Sequence, residues 1–425
     1  MSYRILAEGR TVSNDTWSTG LNNNDIIIGP PGSGKTRGYV IPNILQCSES
    51  MIIADTKGAL RQQVSAVLEQ SGYKIHEINL TDCRASTIGY NPLRCIRYDS
   101  SREHYHEQDI LRAAACLVPI ETIDPFWDRA ARMLLEALIG YLLECQPKEE
   151  HTPSNVILLL SELNSAANKL LDEYALIAPD SFASLRWKLY RSMAPADKTQ
   201  ACIQGILAEK LSTLMFDGVS DLFSRKNQVD FSALGRERIA LFLNISDTDR
   251  SLDPLAALLY AQALQELCAE ADQKPEHRLD IPVRFFLDDF AANVTIPDFD
   301  KIISVIRSRE ISVSIVLQSL SQLDSLYGHP RAQTILSGCD NMLYLGGQDV
   351  ETAQYISVKA NKPASSILNM PLDAAWLFTR GAAPQQVQKY LLQSHPRFYE
   401  LPEALLPQPG PAYGEEWEED PDFPF

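Results

Sequence analysis

One stretch near the start of the chain constrains the fold more than any other. A short apolar run, Ile26 to Ile28, leads directly into the loop sequence GPPGSGKT at residues 29–36. The loop matches the pattern G-x-x-x-x-G-K-[ST], in which glycines let successive backbone N–H groups converge on a polyphosphate. The pattern therefore predicts a buried strand, a phosphate-binding loop (P-loop) and a helix whose N-terminus faces the phosphates.

The residue types of this loop indicate a nucleoside polyphosphate and Mg²⁺ as cofactors. The lysine is long enough to reach the β- and γ-phosphates, and the hydroxyl that follows it can bind the metal. We expect Pro42 to bend or end the helix about one turn after the loop. The predicted nucleotide-binding residues are Gly29, Pro30, Pro31, Gly32, Ser33, Gly34, Lys35, Thr36 and Arg37.

Length and composition indicate a soluble globular protein of about two or three domains. The chain has 425 residues, of which 45% are hydrophobic and 22% charged. No run approaches the roughly 18 apolar residues of a membrane-spanning helix, and the first residues do not resemble a signal peptide. Eight cysteines lie singly along the chain and predict reduced thiols. We therefore expect a cytoplasmic protein.

The net charge argues against a generally basic, DNA-binding surface. It is −17 at pH 7, which is opposite to the usual electrostatic footprint of a nucleic-acid binder. A DNA contact would need a local basic surface, and the clearest basic and aromatic run is RWKLYR at residues 186–191. Such a run could contact DNA, or it could form a helix with its aromatic side chains in the core and its charges in water.

Strand and helix patterns alternate after the P-loop. Residues 50–54 predict a buried strand, residues 59–71 a helix and residues 73–80 another strand. Alternation of this kind predicts a parallel sheet covered on both faces. The first 23 residues are polar and mixed, and we expect them to form a lead-in that turns before the first strand.

The middle of the chain has a helical character. Between about residues 97 and 215, strand-like runs vanish and apolar residues recur at helical spacing, as in the stripe from Phe126 to Leu142. Further helices are predicted near residues 154–163, 166–176, 182–193 and 198–212. Strand patterns then return at residues 239–245, 283–287, 311–317 and 342–345.

This order predicts the domain organisation. An α/β nucleotide-binding domain should comprise residues 1–97 and 216–400, because its strand patterns resume after the helical region. An all-helical domain should be inserted at residues 98–215. Residues 401–425 are Pro-rich and then acidic, and they predict a tail of low order.

Two acids follow the strand pattern at residues 283–287. A P-loop needs a carboxylate at the end of another buried strand for Mg²⁺, and a group that positions the attacking water. We assign Asp288 to the metal, together with Thr36, and Asp289 to the water. The alternative is a strand that ends in a solvated acidic turn.

Two further polar residues are candidates for catalysis. Gln318 ends the next strand pattern and suits a sensor of the γ-phosphate, although a glutamine could also cap the following helix. Arg307 precedes the same strand and could stabilise transition-state charge in a neighbouring subunit's site. A solvated helix end is the alternative for Arg307 and for Arg309 nearby.

These residues resemble a known family, the coupling ATPases of bacterial conjugation and type IV secretion, which belong to the RecA/FtsK-like motor class. The resemblance spans most of the chain. The motifs that carry it are GLNNN at residues 20–24, the P-loop with KTR at 35–37 and PN at 42–43, DTKG at 55–58, YNPL at 90–93, DPFW at 124–127, DDFA at 288–291, RSR at 307–309, QSLSQL at 318–323 and YG at 327–328.

The resemblance implies a RecA-like P-loop NTPase with an inserted all-helical domain that helps to recognise the substrate. It implies a ring of six subunits that hydrolyses ATP between neighbours and drives DNA, as a single strand with relaxase and relaxosome proteins, toward a type IV secretion channel. Arg307 lies where the family has an arginine that reaches the next subunit's nucleotide.

Three departures qualify the resemblance. The family usually has Glu where this chain has Asp289, and a carboxylate drawn back by about 1 Å predicts slow hydrolysis. The family also usually has Glu at the position of Ala59. Most relatives begin with transmembrane helices, so either a separate small membrane protein recruits this chain to the inner face of the membrane or it works unanchored.

Two other functions stay open at this point. One is a nucleotide-gated recruitment module, in which ATP binding orders an adaptor surface with little or no hydrolysis. The departure at Asp289 and the missing anchor favour that alternative. The other is a DNA translocase outside conjugation, and the motifs at residues 125–127 and 318–319 argue against it.

Overall fold

The computed structural model describes residues 2–121, 123–163, 166–290 and 294–402. Its strands are β1 (Tyr3–Ala7), β2 (Arg10–Ser13), β3 (Asp25–Ile28), β4 (Ser50–Ala54), β5 (Lys74–Asn79), β6 (Tyr98–Asp99), β7 (His104–Tyr105), β8 (Ile239–Asn244), β9 (Val283–Leu287), β10 (Ile311–Leu317), β11 (Asn341–Tyr344), β12 (Ala374–Thr379) and β13 (Gln385–Gln388). Nearly all of the predicted acidic tail lies outside the described residues.

The helices fall between these strands and in the middle of the chain. They are α1 (Thr16–Thr19), α2 (Ile41–Leu45), α3 (Ala59–Gln70), α4 (Glu107–Leu117), α5 (Pro125–Cys145), α6 (Pro153–Ser161), α7 (Ala166–Ile177), α8 (Phe182–Met193), α9 (Asp197–Leu211), α10 (Asp217–Ser224), α11 (Asp253–Gln273), α12 (Phe299–Ile302), α13 (Leu320–Tyr327), α14 (His329–Ser337), α15 (Val350–Ala360) and α16 (Ala364–Leu368).

A nine-stranded sheet organises the fold, in the order β13-β12-β11-β3-β10-β9-β4-β8-β5. The strands from β11 to β5 in this order are parallel, whereas β12 and β13 add antiparallel pairs at one edge. The predicted α/β class is confirmed, but the two antiparallel strands were not predicted. Because parallel strands share one carboxyl edge, the ends of β3, β9 and β10 meet there.

Both faces of the sheet are buried against apolar side chains. Ile26 and Ile28 of β3 pack into the larger core, which also contains apolar residues of α4 to α11 and α13 to α15. Ile27 packs on the opposite face with α2, α3 and the chain near Phe398. Successive side chains of a strand point to opposite faces, so a strand covered on both sides is predominantly apolar.

The helices predicted for the middle of the chain are confirmed as α5 to α9. Their starts are set by local chemistry, since Asp124 accepts a hydrogen bond from the backbone N–H of Phe126 and Thr152 accepts one from Asn155. A proline occupies the first turn of both α5 and α6, where a missing N–H costs nothing. The short β6–β7 pair is the exception to this helical character.

The expectation of a polar lead-in at residues 1–23 is wrong. This segment contains the antiparallel hairpin β1–β2, and the side chain of Arg4 is buried against Asp25 at 2.7 Å. A polar side chain can be buried when it is paired with an opposite charge and its hydrogen bonds are satisfied. Composition alone therefore does not separate this strand from a loop.

Of the two effects expected of Pro42, a bend or an end of the helix, the end is not found. A π-helical turn, Thr36–Val40, leads directly into α2, and Pro42 lies in the first turn of α2. Its missing N–H is tolerated because the hydrogen-bond pattern changes at this junction, where Ile41 donates to Thr36 five residues back.

Candidate functional site

The P-loop connects β3 to the helix that follows it, and its glycines are required by geometry. Gly32 and Gly34 have φ angles of 77° and 92°, a region that residues with a Cβ rarely adopt. A Cβ at Gly29 would lie 2.5 Å from Ser33 Oγ, so this position has no room for a side chain. The loop can therefore turn its backbone toward a ligand only with glycine at these places.

Lys35 lies inside the loop with its side chain buried. Its Nζ donates to the carbonyl oxygens of Gly29 at 2.6 Å and Pro30 at 3.0 Å. Burial lowers the pKa of the Lys35 ammonium, and the carboxylates of Asp289 and Asp288 oppose that shift. The structure thus brings this lysine and the two predicted acids into one electrostatic group.

Thr36 and Asp288 meet across the carboxyl edge of the sheet. The hydroxyl of Thr36 donates to Asp288 Oδ2 at 2.8 Å, although 252 positions separate the residues in the sequence. Burial raises the pKa of Asp288 to about 6, while the hydrogen bond from Thr36 opposes the shift and the charge of Asp289 adds to it. A bound cation would favour the ionised carboxylate at this position.

Asp289 has an unusual backbone conformation. Its φ angle is 48°, in the left-handed region that residues other than glycine seldom adopt. Its N–H donates to Asp288 Oδ1 at 3.1 Å, and its side chain is half-buried. Strained residues of this kind often lie at functional sites, and this one directs a second carboxylate to the same edge of the sheet.

Gln318 lies on the same edge, at the end of β10. It shares a cavity of about 250 Å³ with Pro30 and Pro31 of the loop. Its backbone N–H donates to the side chain of Gln322 at 3.1 Å, which orients the first turn of α13. The residue predicted to sense the γ-phosphate is therefore beside the loop.

Arg307 is not part of this cluster. It lies at the amino end of β10, whose seven residues span roughly 23 Å, so Arg307 is at the opposite edge of the sheet from Lys35. Its guanidinium donates to the carbonyl oxygen of Thr16 at 3.3 Å, and Arg309 pairs with Asp272 at 2.8 Å. Arg307 could reach a nucleotide only in another copy of the chain.

Two residues at the carboxyl edge of the sheet were not among the predicted site residues. Asp55, after β4, is buried and accepts hydrogen bonds from the N–H groups of Ala59 and Arg61 at the start of α3. Lys389 reaches the loop from the end of β13 and donates to the carbonyl oxygen of Ser33 at 3.2 Å. The DTKG motif pointed to Asp55, but no local signal marks Lys389, because its contact depends on the two unpredicted strands.

The basic and aromatic run at residues 186–191 is mostly occupied with contacts inside the helical region. Trp187 and Tyr190 are buried, Arg186 pairs with Glu136 at 3.4 Å, and Arg191 lies over the ring of Trp187 at 5.7 Å. These contacts favour the structural interpretation of the run over a DNA contact.

The residues of the site fit a nucleotide with Mg²⁺. Ser33 Oγ is buried and has no hydrogen-bond partner within the described ranges, as expected for a group that faces a polar ligand. The Thr36 hydroxyl and the Asp288 carboxylate are oxygen ligands of the kind that Mg²⁺ takes. A parallel sheet with this loop after the central strand β3, and with paired acids at the end of β9, which is separated from β3 by β10, defines a RecA-like P-loop NTPase fold.

A helical region, α4 to α9, is inserted between the strands β5 and β8 of that fold. The family model described as Type IV secretory system Conjugative DNA transfer matches residues 3–395, and the chain belongs to this family. Protein VirD4 of Rhizobium radiobacter is 24% identical over 342 residues, which are 80% of this chain and 48% of VirD4. The chain spans about half the length of the curated relatives it matches.

Two solved structures support the fold. The unbound bacterial conjugative coupling protein TrwBdeltaN70 superposes with a TM-score of 0.67 at 16% identity, over 92% of this chain and 89% of TrwBdeltaN70. The plasmid coupling protein TrwB in complex with ADP and Mg²⁺ superposes with a TM-score of 0.62 at 18% identity, over 87% of this chain and 85% of that one. Among the described residues, no helix has the length and apolar character needed to cross a membrane.

Proposed function

We propose that this chain is the ATP-driven module of a coupling protein, which brings DNA and its attached relaxase to a type IV secretion channel during conjugation. Membership of the conjugative DNA-transfer family supports the biological role. The contact that carries the chemical part is the 2.8 Å hydrogen bond between Thr36 Oγ1 and Asp288 Oδ2, because it joins the two oxygen groups assigned to the metal.

The proposed reaction is ATP hydrolysis, with each group in a defined role. Lys35 holds the β- and γ-phosphates, and Thr36 and Asp288 hold the metal. Mg²⁺, when bound, neutralises charge on the phosphate oxygens. Asp289 positions the attacking water and accepts its proton, and Gln318 responds to the γ-phosphate. The relative TrwB, solved with ADP and Mg²⁺, supports both cofactors.

The position of Arg307 supports assembly into a ring. Because it lies across the sheet from its own P-loop, it can serve catalysis only in a neighbouring subunit. We propose a homohexamer that closes around single-stranded DNA. The secretion channel and a separate small membrane anchor protein at the inner face of the membrane are the further proposed partners.

A second candidate function is a nucleotide-gated recruitment module with little hydrolysis. The observation that favours it is the short side chain of Asp289, which is held in a left-handed backbone conformation. Such a module would bind ATP and its partners but would not drive movement. A DNA translocase outside conjugation is less well supported, since the family match concerns conjugative transfer.

Steady-state ATP hydrolysis with and without single- and double-stranded DNA separates these functions. For the motor we expect activity that rises with DNA and with protein concentration, and that disappears in Lys35→Ala. If the unaltered chain binds ATP but hydrolyses it no faster than Lys35→Ala, only the recruitment module remains. Failure to bind ATP at all would exclude both.

A further inference from the structure

A second lysine contacts the P-loop from the far end of the chain. Nζ of Lys389 donates to the carbonyl oxygen of Ser33 at 3.2 Å, across 356 positions of sequence. Lys389 directly follows β13 and its side chain is half-buried. The contact thus depends entirely on the tertiary structure.

The antiparallel edge of the sheet explains how Lys389 reaches the loop. β11 is parallel to β3, β12 reverses direction and β13 reverses it again, so β13 ends at the edge where the P-loop lies. The backbone N–H of Lys389 donates to the carbonyl oxygen of Asp373 at 2.9 Å. The carbonyl oxygen of Tyr390 lies 3.2 Å from the position that a Cβ would take at Gly38, so this segment packs closely against the helix after the loop.

The Ser33 carbonyl belongs to the same peptide unit as the Gly34 N–H. In a trans peptide these two groups point in opposite directions. A donor that holds the Ser33 oxygen on one side therefore turns the Gly34 N–H to the other side, where the backbone donors of a P-loop converge on phosphate. A cationic donor also polarises this peptide and strengthens its N–H as a donor.

We propose that Lys389 is a positioning residue of the nucleotide site, which orients the Ser33–Gly34 peptide for phosphate binding. The inference rests on the proposed nucleotide-binding function and extends the site to the C-terminal hairpin β12–β13. Lys389 acts through the loop backbone. Its effect should therefore appear for any ligand that places a diphosphate in the loop.

Binding of a fluorescent ADP, and its competition by inorganic pyrophosphate, tests this proposal. In Lys389→Met we expect the Kd for ADP to rise about tenfold, the size expected for the loss of a charge-assisted hydrogen bond. The affinity of the same variant for pyrophosphate should fall by the same factor. Lys389→Arg keeps a cationic donor and should stay within about threefold of the unaltered chain. The exposed Lys362 supplies the matched control, Lys362→Met, with unchanged affinity.

The outcomes separate this inference from the function on which it rests. If the unaltered chain binds no ADP, the proposed function is wrong. If the unaltered chain binds ADP, three results would show that the positioning role is wrong. They are equal ADP affinity in Lys389→Met, unchanged pyrophosphate affinity in Lys389→Met, and a loss of affinity in Lys389→Arg as large as that in Lys389→Met. Lys389→Gln repeats the test should the Met variant not fold. Failure of both to fold would make Lys389 a structural residue and would also overturn the proposal.

Discussion

The hydroxyl of Tyr39 donates to the carboxylate of Asp25 at 2.5 Å, which links the helix after the P-loop to the first residue of the strand before it. The same carboxylate pairs with Arg4 at 2.7 Å and with Arg284 at 3.7 Å. All four side chains are buried. The two chain segments that flank the loop are thus joined by one buried ionic network.

Removal of one donor from this network should destabilise the fold measurably. Tyr39→Phe keeps the ring but leaves the buried carboxylate of Asp25 with one hydrogen bond fewer. We expect the free energy of unfolding to fall by about 2 kcal/mol, since the acceptor is charged. Urea unfolding followed by circular dichroism measures it, with Tyr399→Phe as the exposed control. Equal stabilities of the two variants would contradict an energetic role for this hydrogen bond.

Thr36→Val tests the assignment of the metal. Valine has the same shape but can neither bind a cation nor donate to Asp288. We expect hydrolysis to fall by about a hundredfold, and the difference in ADP affinity with and without Mg²⁺ to disappear. Isothermal titration in the two conditions measures the second effect. Thr11→Val, at an exposed position of β2, should change neither, and a retained Mg²⁺ effect in Thr36→Val would refute the assignment.

The length of the side chain at residue 289 should control the rate of hydrolysis. Asp289→Asn removes the base, and we expect kcat to fall by about a hundredfold or more, while ADP affinity stays within about threefold. Asp289→Glu moves the carboxylate forward by about 1 Å and should raise kcat. Single-turnover hydrolysis with excess protein isolates this step. Unchanged rates in Asp289→Asn would show that another group activates the water.

A mixing experiment tests whether Arg307 acts between subunits. Arg307→Ala lacks the arginine offered to the next subunit, and Asp288→Asn lacks the carboxylate for the metal. Each variant should therefore be inactive alone. In an equal mixture, some interfaces combine the intact Asp288 of one subunit with the intact Arg307 of the next, so we expect partial recovery of activity. Arg309→Ala is the control, because Arg309 already pairs with Asp272 of its own chain. No recovery in a mixture that assembles would argue against action between subunits.

His395 should make the fold less stable in mild acid. Its Nδ1 accepts a hydrogen bond from the backbone N–H of Arg397 at 3.1 Å, and burial lowers the pKa of its imidazole to about 4. The unfolded chain therefore binds a proton below about pH 6.5 that the folded chain does not. The contribution of His395 to the free energy of unfolding should be fully present above about pH 6.5. It should fall by up to about 3 kcal/mol as the pH drops toward 4.

Denaturant unfolding between pH 4 and pH 8 measures this dependence. His395→Gln keeps an acceptor but does not titrate, so its stability should vary less with pH over the same interval. His104→Gln is the control, because His104 is exposed on the β6–β7 pair and its replacement should leave the pH dependence unchanged. Parallel stability curves for the unaltered chain and His395→Gln would show that other groups cause the acid sensitivity.

Local patterns were sufficient for much of the central sheet. The strands at residues 283–287 and 311–317 were predicted with the bounds that the structure shows, because a strand buried on both faces is a predominantly apolar run. The edge strand β13 has only Val387 as an apolar, buried residue. Such a strand is stabilised mainly by backbone pairing with β12, which composition does not record.

The sequence by itself determined the P-loop, its place after a buried strand, the position of Asp288 and Asp289 after another strand, and the family. Each of these is carried by short motifs of neighbouring residues. The tertiary structure alone decided which distant groups meet. It brings Thr36 to Asp288, places Lys389 on Ser33, buries Arg4 against Asp25 and puts Arg307 at the far edge of the sheet. The physical reason is that strand order and direction set these distances, and residues far apart in sequence carry no local mark of their pairing.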